Sequence, residues 1–170
     1  MVKSLLLIRH AESAQAQAGT KDIERSLTAK GFSDASRVGR YLAENEQLPD
    51  AVLSSTAQRA KYTCELICEQ FKFSLDKIDY REEMYNASVR NLLQIINELE
   101  ESCRLAVLIG HNPAISYLAE YLSGEEIGNM EPCAVVKLQF ESGQWQMAGQ
   151  QTASLVYHLS PEQITFNNQA

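Results

Sequence analysis

Two apolar runs in this chain end directly on histidine: "LLLIRH" delivers Arg9 and His10, and "AVLIGH" delivers His111. A third run, "AVLSS", is followed four residues later by Arg59. Imidazole titrates near neutrality and can act as a nucleophile or move a proton. Guanidinium presents a planar fork of donors that matches the oxygens of a phosphoryl group. Two of each, without a carboxylate ligand pattern, suit a phosphoryl group better than a metal ion. Zinc sites use close spacings such as HxxxH or CxxC, and the sequence has neither. It also lacks GxxxxGK[ST], and no GxGxxG follows an apolar run, so a nucleotide-driven transfer or a dinucleotide cofactor has no support. The expectation is an anion held by side chains, with no metal and no cofactor.

Each residue taken singly is weak evidence. A histidine after a strand is more often structural than catalytic, and Glu82 and Glu83 in "REEM" are by default surface charges. Arg59 is more telling, because a cation near a helix N-terminus opposes the helix dipole and invites an anion as compensation.

The elements that must position these residues alternate along the chain. Runs at Leu5 to Ile8, Ala51 to Leu53 and Ala106 to Ile109, with a weaker one at Ile78 to Tyr80, read as buried strands. Between them, Phe32, Ala35, Val38 and Leu42 recur at helical spacing after a Thr28 cap, as do Ala57, Ala60, Cys64, Ile67 and Phe71. Ser88 caps a predicted helix carrying Leu92, Ile95, Ile96 and Leu99, and Asn112-Pro113 opens a fourth that Gly124 stops. This order predicts a three-layer α/β/α sandwich around a mostly parallel sheet. After Gly124, "AVVKLQF", "ESGQ" and "WQMAGQ" predict a hairpin at one edge, and "SPEQITFNNQA" a loosely held tail. In such a sheet ligands bind beyond the carboxyl ends of the strands. Arg9, His10, Arg59, the Glu82-Glu83 pair and His111 all fall at that rim.

A chain of 170 residues without repeat or linker is expected to form a single domain over 1–170. The formal charge of −7 argues against a general nucleic-acid binder. No apolar run is long enough to span a membrane, and four cysteines without CxxC spacing point to a reducing, cytoplasmic setting.

The stretches "RHAES", "DIERSLTAKG", "PDAVLSSTAQRAKYTCEL", "MYNAS" and "VLIGHNPAISYLAEYL" resemble the histidine phosphatase superfamily, and within it the small phosphohistidine phosphatase, or SixA-like, branch. The resemblance implies a phosphoglycerate mutase-like fold and a phosphatase that needs no metal. It implies that His10 takes the phosphoryl group as a phosphohistidine intermediate, with Arg9, Arg59 and His111 around the phosphate. Two flanking arginines would lower the His10 pKa and keep it unprotonated. Relatives that cleave esters carry a leaving-group acid after the third strand; Glu83 is the candidate and Glu82 the alternate. A phosphohistidine substrate, whose imidazole can leave neutral, needs that acid less. Asp22 and Arg25 match a loop at the site entrance and read equally well as a surface ion pair. The implied substrate is phosphohistidine in a protein, with a small phosphomonoester as alternative and, from another class, a phosphate-recognition module without turnover. Ala16 stands where mutase relatives have Asn, Asn112 where acid phosphatases have Asp, and Cys133 where the family often has Thr.

Overall fold

The computed structural model describes residues 1–166. Strands β1 (Lys3–Arg9), β2 (Ala51–Ser55), β3 (Asp79–Arg81), β4 (Leu105–Gly110), β5 (Val135–Phe140) and β6 (Ala153–Leu159) form one sheet in the order β3-β2-β4-β1-β5-β6. The first four are parallel to one another, and β5 and β6 add antiparallel at one edge. Four helices cover the two faces: α1 (Ala29–Asn45), α2 (Gln58–Phe71), α3 (Val89–Asn97) and α4 (Ala114–Ser123).

The period-2 alternation of a strand divides the core in two. Leu5 and Leu7 of β1 pack with Leu92, Ile96, Ile115 and Leu118 from α3 and α4. Leu6 and Ile8 face the other way, onto Ala35, Val38 and Leu42 of α1 and Cys64 and Ile67 of α2. Strands buried on both faces read as continuous apolar runs, which is why β1 and β4 stood out in the sequence. All four cysteines are buried and unpaired. No helix among the described residues is long and apolar enough to cross a membrane.

Register aligns the strand ends. Pairing of β1 with β4 runs from Ser4 opposite Leu105 to Arg9 opposite Gly110, so His10 and His111 leave the sheet side by side. Ser55, the last residue of β2, lies opposite Arg81 of β3. A glycine is required where α1 meets the loop after His10: a Cβ on Gly31 would stand 2.2 Å from the Glu12 carbonyl oxygen.

Three expectations are corrected. The return strand of the edge hairpin is "ASLVYHL", not "WQMAGQ": Trp145–Met147 forms a 3-10 turn whose indole is fully buried, with its N–H donated to the Cys103 carbonyl. Asn112 does not cap α4 with its side chain. Its Oδ1 accepts from Ser116 Oγ and its amide donates to the Met130 carbonyl, while Asn112-Pro113 is cis. The segment Ser160–Phe166 is not loose, because Ile164 is buried, its carbonyl accepts from Arg37, and Phe166 lies under the Arg40 guanidinium. The remainder of the expected tail, 167–170, lies outside the described residues.

Candidate active site

The backbone at the end of β1 is held from three sides. Arg9 N–H donates to Ala134, His10 N–H donates to Gly110, and the Cys133 N–H is shared between the Arg9 and His10 carbonyls. Cys133 adopts φ +62° to aim that N–H. The His10 ring is buried, and its Nδ1 lies 2.7 Å from the Ala11 carbonyl. A carbonyl only accepts, so Nδ1 carries the proton and Nε2 keeps its electron pair. Ala11 is itself clamped. Its N–H donates to Thr63 Oγ1 at 2.9 Å, and that hydroxyl donates to the Arg59 carbonyl at 2.7 Å.

His111 faces His10 with ring centroids 5.1 Å apart, and Tyr85 meets His111 edge-on at 5.7 Å. His111 Nε2 is 2.7 Å from Ser55 Oγ. Among the described residues, two buried side-chain nitrogens have no hydrogen-bond partner, Arg9 Nε and His111 Nδ1. The Arg9 fork is fixed by donation from one terminal nitrogen to the Met130 carbonyl. Arg59 is buried and held by Asp22: its two terminal nitrogens donate to the Asp22 carbonyl oxygen at 2.8 Å and to Asp22 Oδ2 at 3.1 Å, with the Tyr85 ring 5.8 Å from the guanidinium.

Asp22 therefore gathers more of the site than the sequence indicated. Arg25 donates to its Oδ1 and Tyr85 to its Oδ2, and Arg25 also ties down the Ala14 carbonyl and Ser13. The Tyr85 and Arg25 hydrogen bonds, with Arg59 beside them, hold the Asp22 carboxyl far below the usual carboxylate range. Burial, reinforced by Arg59, Arg9 and Arg25, pushes the His10 pKa down to about 4. Burial and the neighbouring His10 and Arg59 push His111 down to about 3. Both imidazoles are thus neutral near pH 7 in the free protein.

The structure brings Arg9, His10, Arg59 and His111 to one end of the sheet and places Asp22 and Arg25 with them. Glu83 lies in the 3-10 turn just before Tyr85 and faces Arg81. That side chain is half exposed, pairs with Arg81 at 3.3 Å, and makes no hydrogen bond to His10, Arg59 or His111. Glu82 is exposed beside it. Ser55 and Thr63 were not singled out from the sequence. Thr63 carried a signal, a hydroxyl on the apolar stripe of α2 between Ala60 and Cys64, where a polar group needs a specific partner.

A sequence profile for the histidine phosphatase superfamily (branch 1) matches residues 5–84. A crystal structure from Agrobacterium tumefaciens, designated phosphohistidine phosphatase SixA, superposes with a TM-score of 0.81 at 28% identity, covering 94% of this chain and 98% of that one. Over residues 5–84 the chain matches the histidine phosphatase superfamily, and its likeness to the Agrobacterium structure agrees with that match. Its mixed α/β fold is the phosphoglycerate mutase-like one, and these likenesses support a phosphatase activity. A protein histidine phosphatase SixA solved with tungstate aligns at TM-score 0.75 and 22% identity over 93% of this chain and 97% of that one, a likeness of fold. An uncharacterized protein of Mycobacterium tuberculosis is 29% identical over 151 residues, 81% of this chain and 89% of its own length.

Proposed function

We propose that this histidine phosphatase works by covalent catalysis on His10 and that its substrate is phosphohistidine in a protein. The observation that carries the catalytic reading is the fixed His10 tautomer: Nδ1–H is held by the Ala11 carbonyl, and the lone pair on Nε2 is left beside the guanidinium of Arg9 and the ring of His111. Nε2 attacks phosphorus in line, the bond to the leaving group breaks, and a phosphoryl-His10 intermediate forms. Water then cleaves the labile P–N bond and releases phosphate. Arg9, Arg59 and His111 hold the equatorial oxygens. Their two unpartnered buried nitrogens, Arg9 Nε and His111 Nδ1, supply donors already in place. Since fixed guanidinium groups provide the charge, the reaction is read as independent of metal.

The protein substrate rests on the size of the concavity beside His111. Met84, Tyr85, Asn86, Leu92, His111 and Pro113 line an open concavity of about 220 Å³ that flanks His111 without reaching His10 or the arginines, below the roughly 300–1,000 Å³ of pockets that bury whole small molecules. Such a space suits one side chain, with the rest of the partner outside. The likeness to the Agrobacterium protein designated SixA points the same way. A small phosphomonoester remains the second reading, favoured by the carboxylates at Glu82 and Glu83 close to the rim.

The test compares wild type with His10→Ala on a phosphohistidine protein and on a panel of phosphoesters, in the presence of chelator. Wild-type turnover of the phosphohistidine protein, lost in the variant and accompanied by acid-labile label on wild type alone, is expected. Equal turnover by the two proteins overturns the nucleophile. Preference for a small ester overturns the substrate.

A further inference from the structure

We propose that Ser55 is a positioning residue that sets which nitrogen of His111 carries the proton, so that Nδ1–H points at the phosphoryl group as a neutral donor. The proposal rests on the reading of His111 as a phosphate ligand, but its decisive test does not require turnover.

Ser55 ends β2 with no exposed surface, and the β2–β4 and β2–β3 register fixes it at the rim. Its Oγ makes two hydrogen bonds among the described residues. It accepts from the Ala57 N–H at 3.2 Å, where the chain turns into α2, and it meets His111 Nε2 at 2.7 Å. A hydroxyl has one proton to give and two lone pairs. With the Ala57 N–H already on one lone pair, donation of the hydroxyl proton to Nε2 satisfies every atom of the group. Nε2 is then the accepting nitrogen, and the ring proton resides on Nδ1.

The opposite arrangement, with Nε2–H donating to Oγ, gives the buried hydroxyl proton no acceptor. It would also leave a bare Nδ1 lone pair in a pocket meant for an anion, close to the unprotonated His10. A lone pair facing phosphoryl oxygens repels them, whereas an N–H attracts them. The same atom is therefore helpful or harmful according to the proton that Ser55 dictates.

The device parallels the one on His10 in mirror fashion. There a carbonyl, which can only accept, forces Nδ1 to be protonated and frees Nε2 to attack. Here a hydroxyl already accepting one backbone N–H acts as a donor and makes Nδ1 of the second ring the donor to substrate. Two neutral imidazoles of one type thereby take opposite roles, one a nucleophile and one a hydrogen-bond donor. Neither role needs a change of charge, in keeping with the burial that disfavours imidazolium at both positions.

The experiment is long-range ¹H–¹⁵N correlation of the imidazole nitrogens in the free wild-type protein at neutral pH, with His111 assigned by comparison with His111→Asn. A pyrrole-type Nδ1 and a pyridine-type Nε2 are expected for His111. A protonated Nε2 overturns the proposal, whatever the enzyme hydrolyses. In Ser55→Ala the two His111 nitrogens should move toward averaged shifts, or exchange character. Removing an oxyanion donor outright costs roughly 10²–10³-fold; Ser55→Ala leaves the ring in place and misdirects it, so kcat should fall about tenfold. Unchanged ¹⁵N shifts in the variant overturn the assignment of the control to Ser55. Failure of the phosphatase mechanism itself would appear separately, as His10→Ala retaining wild-type turnover.

Discussion

Replacing Thr63 by valine should injure both stability and turnover, although the side chain never approaches solvent and keeps its shape. Thr63 is fully buried on α2, and its hydroxyl is the hinge between that helix and the loop after β1. Valine is nearly isosteric, so little volume is lost and packing against the apolar stripe survives. What disappears is the acceptor for the Ala11 N–H and the hydroxyl bond to the Arg59 carbonyl. That carbonyl retains the ordinary i+4 partner of its helix, so its loss is about 1 kcal/mol. The Ala11 N–H is left buried without its partner at a cost of about 1–3 kcal/mol. The sum, about 2–4 kcal/mol, is large beside the roughly 5–15 kcal/mol of a typical domain yet leaves the protein folded. Turnover should fall about tenfold as well, because the Ala11 carbonyl that orients His10 loses its own anchor and small misplacements are costly. Thr63→Ser reverses the comparison by keeping the hydroxyl and dropping one methyl, at about 1 kcal/mol. Urea unfolding at unchanged m, with kcat on a chromogenic phosphoester, measures both effects. A valine variant at least as stable as the serine variant would refute the reasoning.

Two further outcomes concern the reaction. As the proposed nucleophile His10 must be unprotonated, and its pKa in the free protein is depressed to about 4, so kcat/KM should stay level as pH falls to about 5 and decline only below it. Arg25→Gln removes one of the positive neighbours that depress it and should shift the limb upward. A limb near the ordinary imidazole value of 6.5 in wild type would contradict the buried, positively flanked ring. Glu83→Gln should leave hydrolysis of a phosphohistidine protein within about threefold of wild type, since the carboxylate faces Arg81 and an imidazole can depart neutral. On an alkyl phosphoester, which needs a proton, the loss should approach the roughly 10²-fold lower bound for a general acid. Parallel assays of the two substrate types with one enzyme preparation read this directly.

Much of the architecture was legible because strands buried on both faces announce themselves. The runs Leu5 to Ile8 and Ala106 to Ile109 form β1 and β4 with small shifts of boundary. Helix starts were legible where the cap is a local side-chain bond, as at Thr28 and Ser88. The failures have a shared cause. Trp145 falls in the stretch the hairpin pattern predicts as a strand, but its indole N–H reaches Cys103 from a 3-10 turn, a partner 42 positions away that no local pattern encodes. Asn112 was read as a cap from its proximity to proline, whereas its amide serves the 129–130 loop. At the site, the arginines and histidines were visible because strand ends converge in any such sheet. The supports were not. Ser55 and Thr63 matter through contacts spanning 56 and 52 positions. Glu83 was placed by its segment, and only the side-chain geometry shows it turned toward Arg81.

The grip of Asp22 on Arg59 gives the pocket a resident counter-ion. On the proposed mechanism, an incoming phosphoryl group does not meet a bare guanidinium; it joins one whose direction is already set and whose field is partly neutralised by Asp22. Organisation of the cation is thus complete before the substrate arrives, while ground-state attraction is moderated. The same moderation applies to inorganic phosphate on its way out, which favours prompt departure of the product over a long-lived complex.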